Sequence, residues 1–311
     1  MSHTFVFPGQ GSQTVGMGHE LADAFPSARE VFEVVDDALE RRISAVMWDG
    51  PMEELTKTAN AQPALMAHSV AMMRVLEQEA GYSVKDAMFV AGHSLGEYSA
   101  LCAAGAMSLT DAAKLLRVRG EAFQAAAEDS EGAMAALIGI DRDGTQKALE
   151  TVPFEGVCQI ANDNAPGQIV ISGDRACVEV VAAAAKDFGA KLAKLLPVSG
   201  AFHSELMAPA AKTMEAALEK ANIKMPVTPL VANVTATETT SSEDVRQQLV
   251  DQVTGQVRWT ESVDYMVEKG CHKFIEVGTG KVLAGLIRRI NRDTTVASVG
   301  DPSAMDALAK L

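Results

Sequence analysis

The chain is poor in cysteine, in aromatic rings and in positive charge. Its four cysteines (Cys102, Cys158, Cys177 and Cys271) are scattered over 311 residues, with no C-x-x-C pair and no metal-ligand spacing. That leaves no disulfide framework and no metal site, and fits a reduced, cytoplasmic setting. No run approaches the ~18 apolar residues of a membrane span. The start, Met1-Ser2-His3-Thr4, lacks the basic region and long apolar stretch of a secretory signal. Lysine and arginine number 27 against 41 aspartates and glutamates, for a formal net charge of −14. Such a balance argues against general nucleic-acid binding. Phosphate-cradling loops are missing as well. Gly9-Gln10-Gly11 opens like a dinucleotide fingerprint, but Thr14 stands where the last glycine belongs. Gly280-Lys281 ends like a P-loop, but Ile275 replaces the first glycine and Val282 follows the lysine. No cofactor and no metal is expected.

What the chain does have is Gly92-His93-Ser94-Leu95-Gly96, a G-x-S-x-G stretch between an apolar run, Ala87 to Ala91, and a helix-forming run from Glu97. Strand, sharp turn and helix are the context of a nucleophile elbow. The turn strains the central residue, and side chains two positions either side of it would collide, which glycines avoid. The Ser94 hydroxyl is then lifted clear, and the following N–H groups open a helix whose dipole favours developing negative charge.

The remainder reads as an α/β chain with a mainly parallel sheet. Thr4 to Phe7 is a first strand; Ser27 is a plausible N-cap with Glu30 completing a capping box. Helices are expected from about Pro63 to Ala80 and Asp111 to Glu128. Residues 133–140, 142–151, 157–161, 168–172, 174–188 and 191–196 then alternate as β-α-β-β-α-β, the ferredoxin-like order, with Asp174 capping the second helix. Residues 131–197 are therefore expected to form a small subdomain inserted into a larger one made of 1–130 and 198–311. Later segments include a helix from Ser204 to Ala221, strands near Leu230 to Ala232, Lys273 to Val277 and Thr295 to Val299, and helices at 243–253, 260–269 and 281–291. Strands alternating with helices imply a mainly parallel sheet covered on both faces.

Ser94 needs a base. Of the six histidines, His68 has apolar helical neighbours and reads as a core residue. His3 and His19 read as exposed, and His272 has no ligand pattern around it. His93, inside the turn, points away from Ser94 and supports the turn. His203, in Gly200-Ala201-Phe202-His203-Ser204, remains as the candidate. Arg119 faces Leu115, Leu116, Ala122 and Phe123 at helical spacing, whereas Arg117 can pair with Glu121 on the surface. An inward guanidinium needs a partner: either a buried acid of the chain or a substrate carboxylate gripped by its fork. Arg288, Arg289 and Arg292, and Lys186, Lys191 and Lys194, are the local basic groups, each readable as plain surface charge.

Taken in order, Phe7 to Gln13, Gln62-Pro63-Ala64, the Gly92–Tyr98 elbow, Arg117 to Gly120, Asn162 to Gln168, Gly200 to Ser204, Gln252 with Val257-Arg258-Trp259, and Glu276 to Leu283 resemble the malonyl-CoA:acyl carrier protein transacylase family of type II fatty acid synthesis. The resemblance implies an α/β-hydrolase-like core with a ferredoxin-like insert. It implies transfer of malonyl from malonyl-CoA to holo acyl carrier protein through a malonyl ester of Ser94, with His203 as base. The backbone N–H groups of Gln10 and Leu95 would form the oxyanion hole, and Arg119 would hold the malonyl carboxylate. A main-chain carbonyl near Gln252 would orient the histidine, Asn162 would be a polar support, and Phe202 would favour malonyl over branched analogues. A monomer is expected. A serine esterase or thioesterase and a non-catalytic binding module are the alternatives. Whether the pathway is fatty acid or polyketide synthesis stays open.

Overall fold

The computed structural model describes residues 3–198 and 200–310; Met1 and Ser2, read above for a leader, lie outside them. The strands are β1 (Thr4–Phe7), β2 (Phe89–Gly92), β3 (Gly132–Ile138), β4 (Cys158–Ala165), β5 (Gln168–Asp174), β6 (Leu192–Leu195), β7 (Leu230–Val231), β8 (Lys273–Val277) and β9 (Thr295–Val299). The helices are α1 (His19–Ala24), α2 (Pro26–Ala38), α3 (Ile43–Asp49), α4 (Met52–Thr56), α5 (Thr58–Glu79), α6 (Gly96–Ala103), α7 (Leu109–Glu128), α8 (Arg142–Leu149), α9 (Arg175–Ala184), α10 (Ala208–Lys220), α11 (Ser242–Thr254), α12 (Trp259–Glu268) and α13 (Val282–Ile290). No helix among the described residues is long and apolar enough to cross a membrane.

The large sheet has the order β7-β2-β1-β8-β9 and is parallel throughout. Its central strands are buried on both faces: Thr4, Phe5, Val6 and Phe7 of β1 are all buried, as is the whole of β2. Continuous apolar runs rather than alternating ones are what a sheet covered twice requires. The carboxyl ends of β7, β2 and β1 lie side by side and lead into Asn233, Ser94 and Gln10. A site at that edge is the general rule for open parallel sheets.

The second sheet, in the order β4-β5-β3-β6, is antiparallel and built from the expected β-α-β-β-α-β run. It has its own core of Ala135, Leu137, Ile171, Val178 and Val181. Strand β4 runs on to Ala165 instead of stopping at Ala161, with register shifts at Ile160/Asn162 and Asp163/Ala165.

Four local expectations are corrected. Ser27 does not cap α2, because Pro26 takes the first helical position, where its fixed φ and missing N–H cost nothing. Helix α5 starts at Thr58, not Pro63, and carries Pro63 inside it. The proline cannot donate to the carbonyl of Ala59; Arg117 Nη1 donates to that oxygen instead, at 3.3 Å. Asp174 precedes α9 without a cap bond, its carboxylate accepting from the Val157 N–H at 2.6 Å. His3 is buried, not exposed, with its ring edge-on to Phe5 and Tyr82. The other two surface readings agree: His19 is exposed, and Arg117 pairs with Glu121 at 2.6 Å.

Two glycines give opposite expectations for alanine. A Cβ on Gly96 would overlap the carbonyl oxygen of Phe7. Gly96→Ala should cost about 3 kcal/mol or more, or prevent folding. Gly285 is an exposed glycine of α13 with nothing near its Cβ position, and Gly285→Ala should stabilise by about 0.5–1 kcal/mol. Urea unfolding of the two variants beside the parent chain checks both signs.

Candidate active site

The serine corner is formed by steric necessity. Ser94 has φ +53, a left-handed conformation unfavourable for a side-chain-bearing residue. A Cβ on Gly92 would overlap the backbone of Gly96 and Glu97, so the end of strand β2 and the start of helix α6 can come this close only with glycine at 92. Asn233, at the end of β7, fastens the turn: its Oδ1 accepts from the Ser94 N–H at 2.8 Å and its Nδ2 donates to the Gly92 carbonyl at 2.7 Å. His93 points the other way, as expected, and bonds Asn164 Oδ1 through Nε2 at 2.7 Å. Burial holds its pKa below the usual imidazole value. A Cβ on Gly9 would meet the His93 carbonyl oxygen at 2.7 Å, so the Gly9–Gly11 loop packs directly on the elbow. Among the described residues, neither the Leu95 nor the Gln10 main-chain N–H has a protein acceptor. Both lie beside Ser94, Leu95 at the start of α6.

His203 meets Ser94 from a distant part of the chain. Its Nε2 is 2.9 Å from Ser94 Oγ, and its Nδ1 is 2.8 Å from the main-chain oxygen of Gln252. A carbonyl can only accept, so Nδ1 carries the hydrogen and Nε2 is left to take the serine proton. His203 itself has φ +59 and is 4% exposed. Burial first, and the nearby Arg119 charge second, pull its pKa down to about 3.

Arg119 is 1% exposed and faces inward as its spacing implies. Nη1 donates to Gln62 Oε1 at 2.8 Å; Nη2 donates to Gln252 Oε1 at 2.9 Å and to Ser94 Oγ at 3.1 Å. Its guanidinium carbon lies 4.2 Å from the Phe123 ring centroid. Among the described residues it forms no ion pair; the carboxylate whose charge reaches it is Glu97. Helix α7 can bring it this close because Gly120 packs on α5: a Cβ there would be 2.5 Å from Ala59 Cα.

These groups line a cleft of 910 Å³ between the two sheets, with Gln10, Ser94, Arg119, Asn162, Phe202 and His203 all on its wall. Asn162 reaches the wall from β4 and is paired through its backbone with Val257. Phe202 packs against Phe123, the rings tilted by 37° with centroids 5.2 Å apart. Gln252, on α11, is fully buried and meets the site by both its backbone and its amide. Residue-by-residue reading overlooked Asn233, Glu97, Gln62 and Phe123. For the three polar ones the signal was polarity in apolar surroundings, as with Gln62 among Ala59, Pro63 and Met66 of α5; Phe123 carried no signal beyond its place beside Arg119 on α7. Among the described residues no group of three or more His, Cys, Asp or Glu could hold a metal.

A serine hydroxyl met by an imidazole, main-chain donors and a cationic fork in one cleft fit the class of serine-dependent acyltransferases. The comparisons agree. Residues 4–301 match the family model described as acyl transferase domain. The curated malonyl CoA-acyl carrier protein transacylase of Bacillus subtilis (strain 168) is 45% identical over 303 residues, covering 97% of this chain and 94% of that protein. A crystal structure of acyl-carrier-protein-S-malonyltransferase from Bartonella henselae superposes with a TM-score of 0.96 at 52% identity, covering 100% of this chain and 99% of that one. A malonyl-transacylase in complex with its type II PKS acyl-carrier protein superposes with a TM-score of 0.95 at 40% identity, covering 100% of both. The chain belongs to the malonyl-CoA:acyl carrier protein transacylase family.

With its pKa near 3, His203 should remain neutral, with the hydrogen on Nδ1, from pH 8 down to pH 5. A free imidazole would protonate at about 6.5. The unfolded chain therefore takes up this proton first, and His203 erodes stability as pH falls below about 6.5. Nitrogen-15 NMR of labelled histidine reads the charge directly; a doubly protonated His203 at pH 5.5 contradicts the assignment.

Proposed function

We propose that the chain loads malonyl from malonyl-CoA onto Ser94 and passes it to the phosphopantetheine thiol of holo acyl carrier protein. The observation that carries this is the buried Arg119 fork, unpaired by any carboxylate among the described residues and one hydrogen bond from Ser94 Oγ. In the first step Ser94 Oγ attacks the thioester carbonyl as His203 Nε2 takes its proton. The oxyanion is held by the Gln10 and Leu95 N–H groups. The C–S bond then breaks, and coenzyme A leaves as a thiol with the proton from His203. In the second step the carrier thiol gives its proton to His203 and attacks the ester, and Ser94 Oγ recovers the proton. One main-chain oxyanion donor is worth roughly 3–4 kcal/mol of barrier.

The malonyl carboxylate takes over the Nη2 hydrogen now given to Ser94, which frees the hydroxyl for His203. It also offsets the positive charge that depresses the His203 pKa, so the right substrate makes its own base stronger. A neutral acyl group does neither, and leaves a buried charge unmatched. Phe202, braced by Phe123, narrows the cleft beside the acyl group and disfavours an α-branch. Asn162 is a polar support on the facing wall.

Residues 131–197 act as an inserted subdomain between the two parts of the large one, 1–130 and 198–311; an antiparallel sheet and separate core within Gly132–Leu195 support this. Ser94, His203 and Arg119 meet within a single chain, so the proposed reaction needs no second copy. The four free thiols fit a cytoplasmic setting.

Incubation with malonyl-CoA and mass mapping tests the reading: one malonyl group should appear on Ser94, vanish on adding holo carrier protein, and be absent in Ser94→Ala. A binding module would keep its ligand in that variant, and a hydrolase would lose the label without carrier. Arg119→Ala should lower kcat/KM for malonyl loading by about 100-fold or more, two charged hydrogen bonds being lost. Acetyl loading should hold or rise. Survival of malonyl loading within a few-fold defeats the clamp.

A further inference from the structure

Glu97 is a buried carboxylate that the reaction above does not use. It lies in the first turn of α6 and is 1% exposed. Its Oε2 accepts from the Asn233 main-chain N–H at 2.9 Å and from Gln252 Nε2 at 3.1 Å, while its Oε1 has no hydrogen-bond partner. Burying an incompletely paired carboxylate is costly, so its surroundings must gain something from it.

They gain a fixed orientation for Gln252. That amide touches the site at several points. Its Oε1 accepts from Arg119 Nη2 at 2.9 Å. Its Nε2 donates to Glu97 and to the Ser94 main-chain oxygen, at 3.1 Å each, and faces Asn233 Oδ1 at 3.4 Å. The two ends of a glutamine amide have nearly the same shape, and only their partners decide which way it points. An ionised carboxylate and a main-chain carbonyl can only accept, so Glu97 and the Ser94 oxygen together hold the NH2 end, Glu97 as the charged partner of the two. The carbonyl end is thereby left for Arg119. With the amide reversed, an NH2 group would face a guanidinium NH2, donor against donor, and the fork would turn from the cleft.

We propose that Glu97 is a positioning residue: by pinning the Gln252 amide it aims Arg119 at the substrate carboxylate, and so sets the preference for a carboxylated acyl group over a neutral one. The inference rests on the reading of Arg119 as the carboxylate clamp. Burial pushes the Glu97 carboxyl up to about 7. A proton taken up there settles on the unpartnered Oε1, and Oε2 still accepts, so the arrangement outlasts protonation. Glutamine at this position can mimic that state.

The experiment compares loading from malonyl-CoA and acetyl-CoA, with thermal melting, in the parent chain, Glu97→Ala, Glu97→Gln, Glu97→Asp and Arg119→Ala. In Glu97→Ala the malonyl KM should rise, and the malonyl-to-acetyl ratio of kcat/KM should fall by about tenfold or more, as for a lost charged hydrogen bond. Glu97→Gln keeps the acceptor and should hold the ratio within about threefold, yet melt lower because its new NH2 group is buried without an acceptor. Glu97→Asp keeps the charge but falls short of Gln252, and its ratio should drop; it serves also if Glu97→Ala does not fold. Equal losses of both substrates in Glu97→Ala, an unchanged ratio in Glu97→Asp, or a ratio in Glu97→Gln as low as in Glu97→Ala each overturn the proposal. The Arg119→Ala arm separates the two readings. If it keeps the ratio, the clamp itself is wrong; if it loses the ratio while Glu97→Ala and Glu97→Asp retain it, only the role of Glu97 fails.

Discussion

A buried guanidinium held by neutral acceptors is the constraint around which the site is arranged. Arg119 gives hydrogen bonds to two amide oxygens and a hydroxyl, and rests on the face of Phe123. None of these cancels its charge. A direct ion pair would have made the residue structural and left nothing for a ligand to balance. Holding it with amides keeps the position fixed and the field intact, and that field reaches the reacting groups. It contributes to the low pKa of His203. In the reaction proposed above, a carboxylate that offset this charge would strengthen the base, and selectivity and reactivity would share one cause.

Backbone strain at Ser94 and His203 is the second feature. Ser94 and His203 both have positive φ without being glycine. Each such conformation costs on the order of 1–2 kcal/mol, and neighbours over-determine both. Gly92 and Gly96 let strand and helix touch beneath Ser94, and Asn233 clamps the turn at two points. The Gln252 carbonyl fixes the His203 ring. With both backbones so held, Oγ and Nε2 lie 2.9 Å apart.

Much of this was legible in the residues, for reasons local in the chain. Short, largely apolar runs mark the strands of a parallel sheet, so β1, β8 and β9 could be bounded closely. The elbow was legible because its steric demand falls within five consecutive residues. The inward face of Arg119 followed from its i±3 and i±4 neighbours. Cap assignments at Ser27 and Asp174 failed because short-range patterns compete: a proline took one position, and a loop N–H claimed the other carboxylate. Helix α5 was cut short at Pro63 because Arg117, far along the chain, satisfies the carbonyl that the proline cannot.

By itself, then, the sequence determined the serine elbow, the alternation of strands and helices, the β-α-β-β-α-β order of the second sheet and the inward arginine, since each depends on residues close together in the chain. Only the tertiary structure decided what Arg119 touches, which nitrogen of His203 carries the hydrogen, and why Glu97, Asn233 and Gln252 belong together. Those partners lie on different elements, and amide and carboxylate groups take their roles from geometry that no spacing along the chain encodes. Residues separated by more than a hundred positions, Ser94 and His203 among them, become neighbours only once the sheet aligns the carboxyl ends of its strands and the cores lock the helices against it.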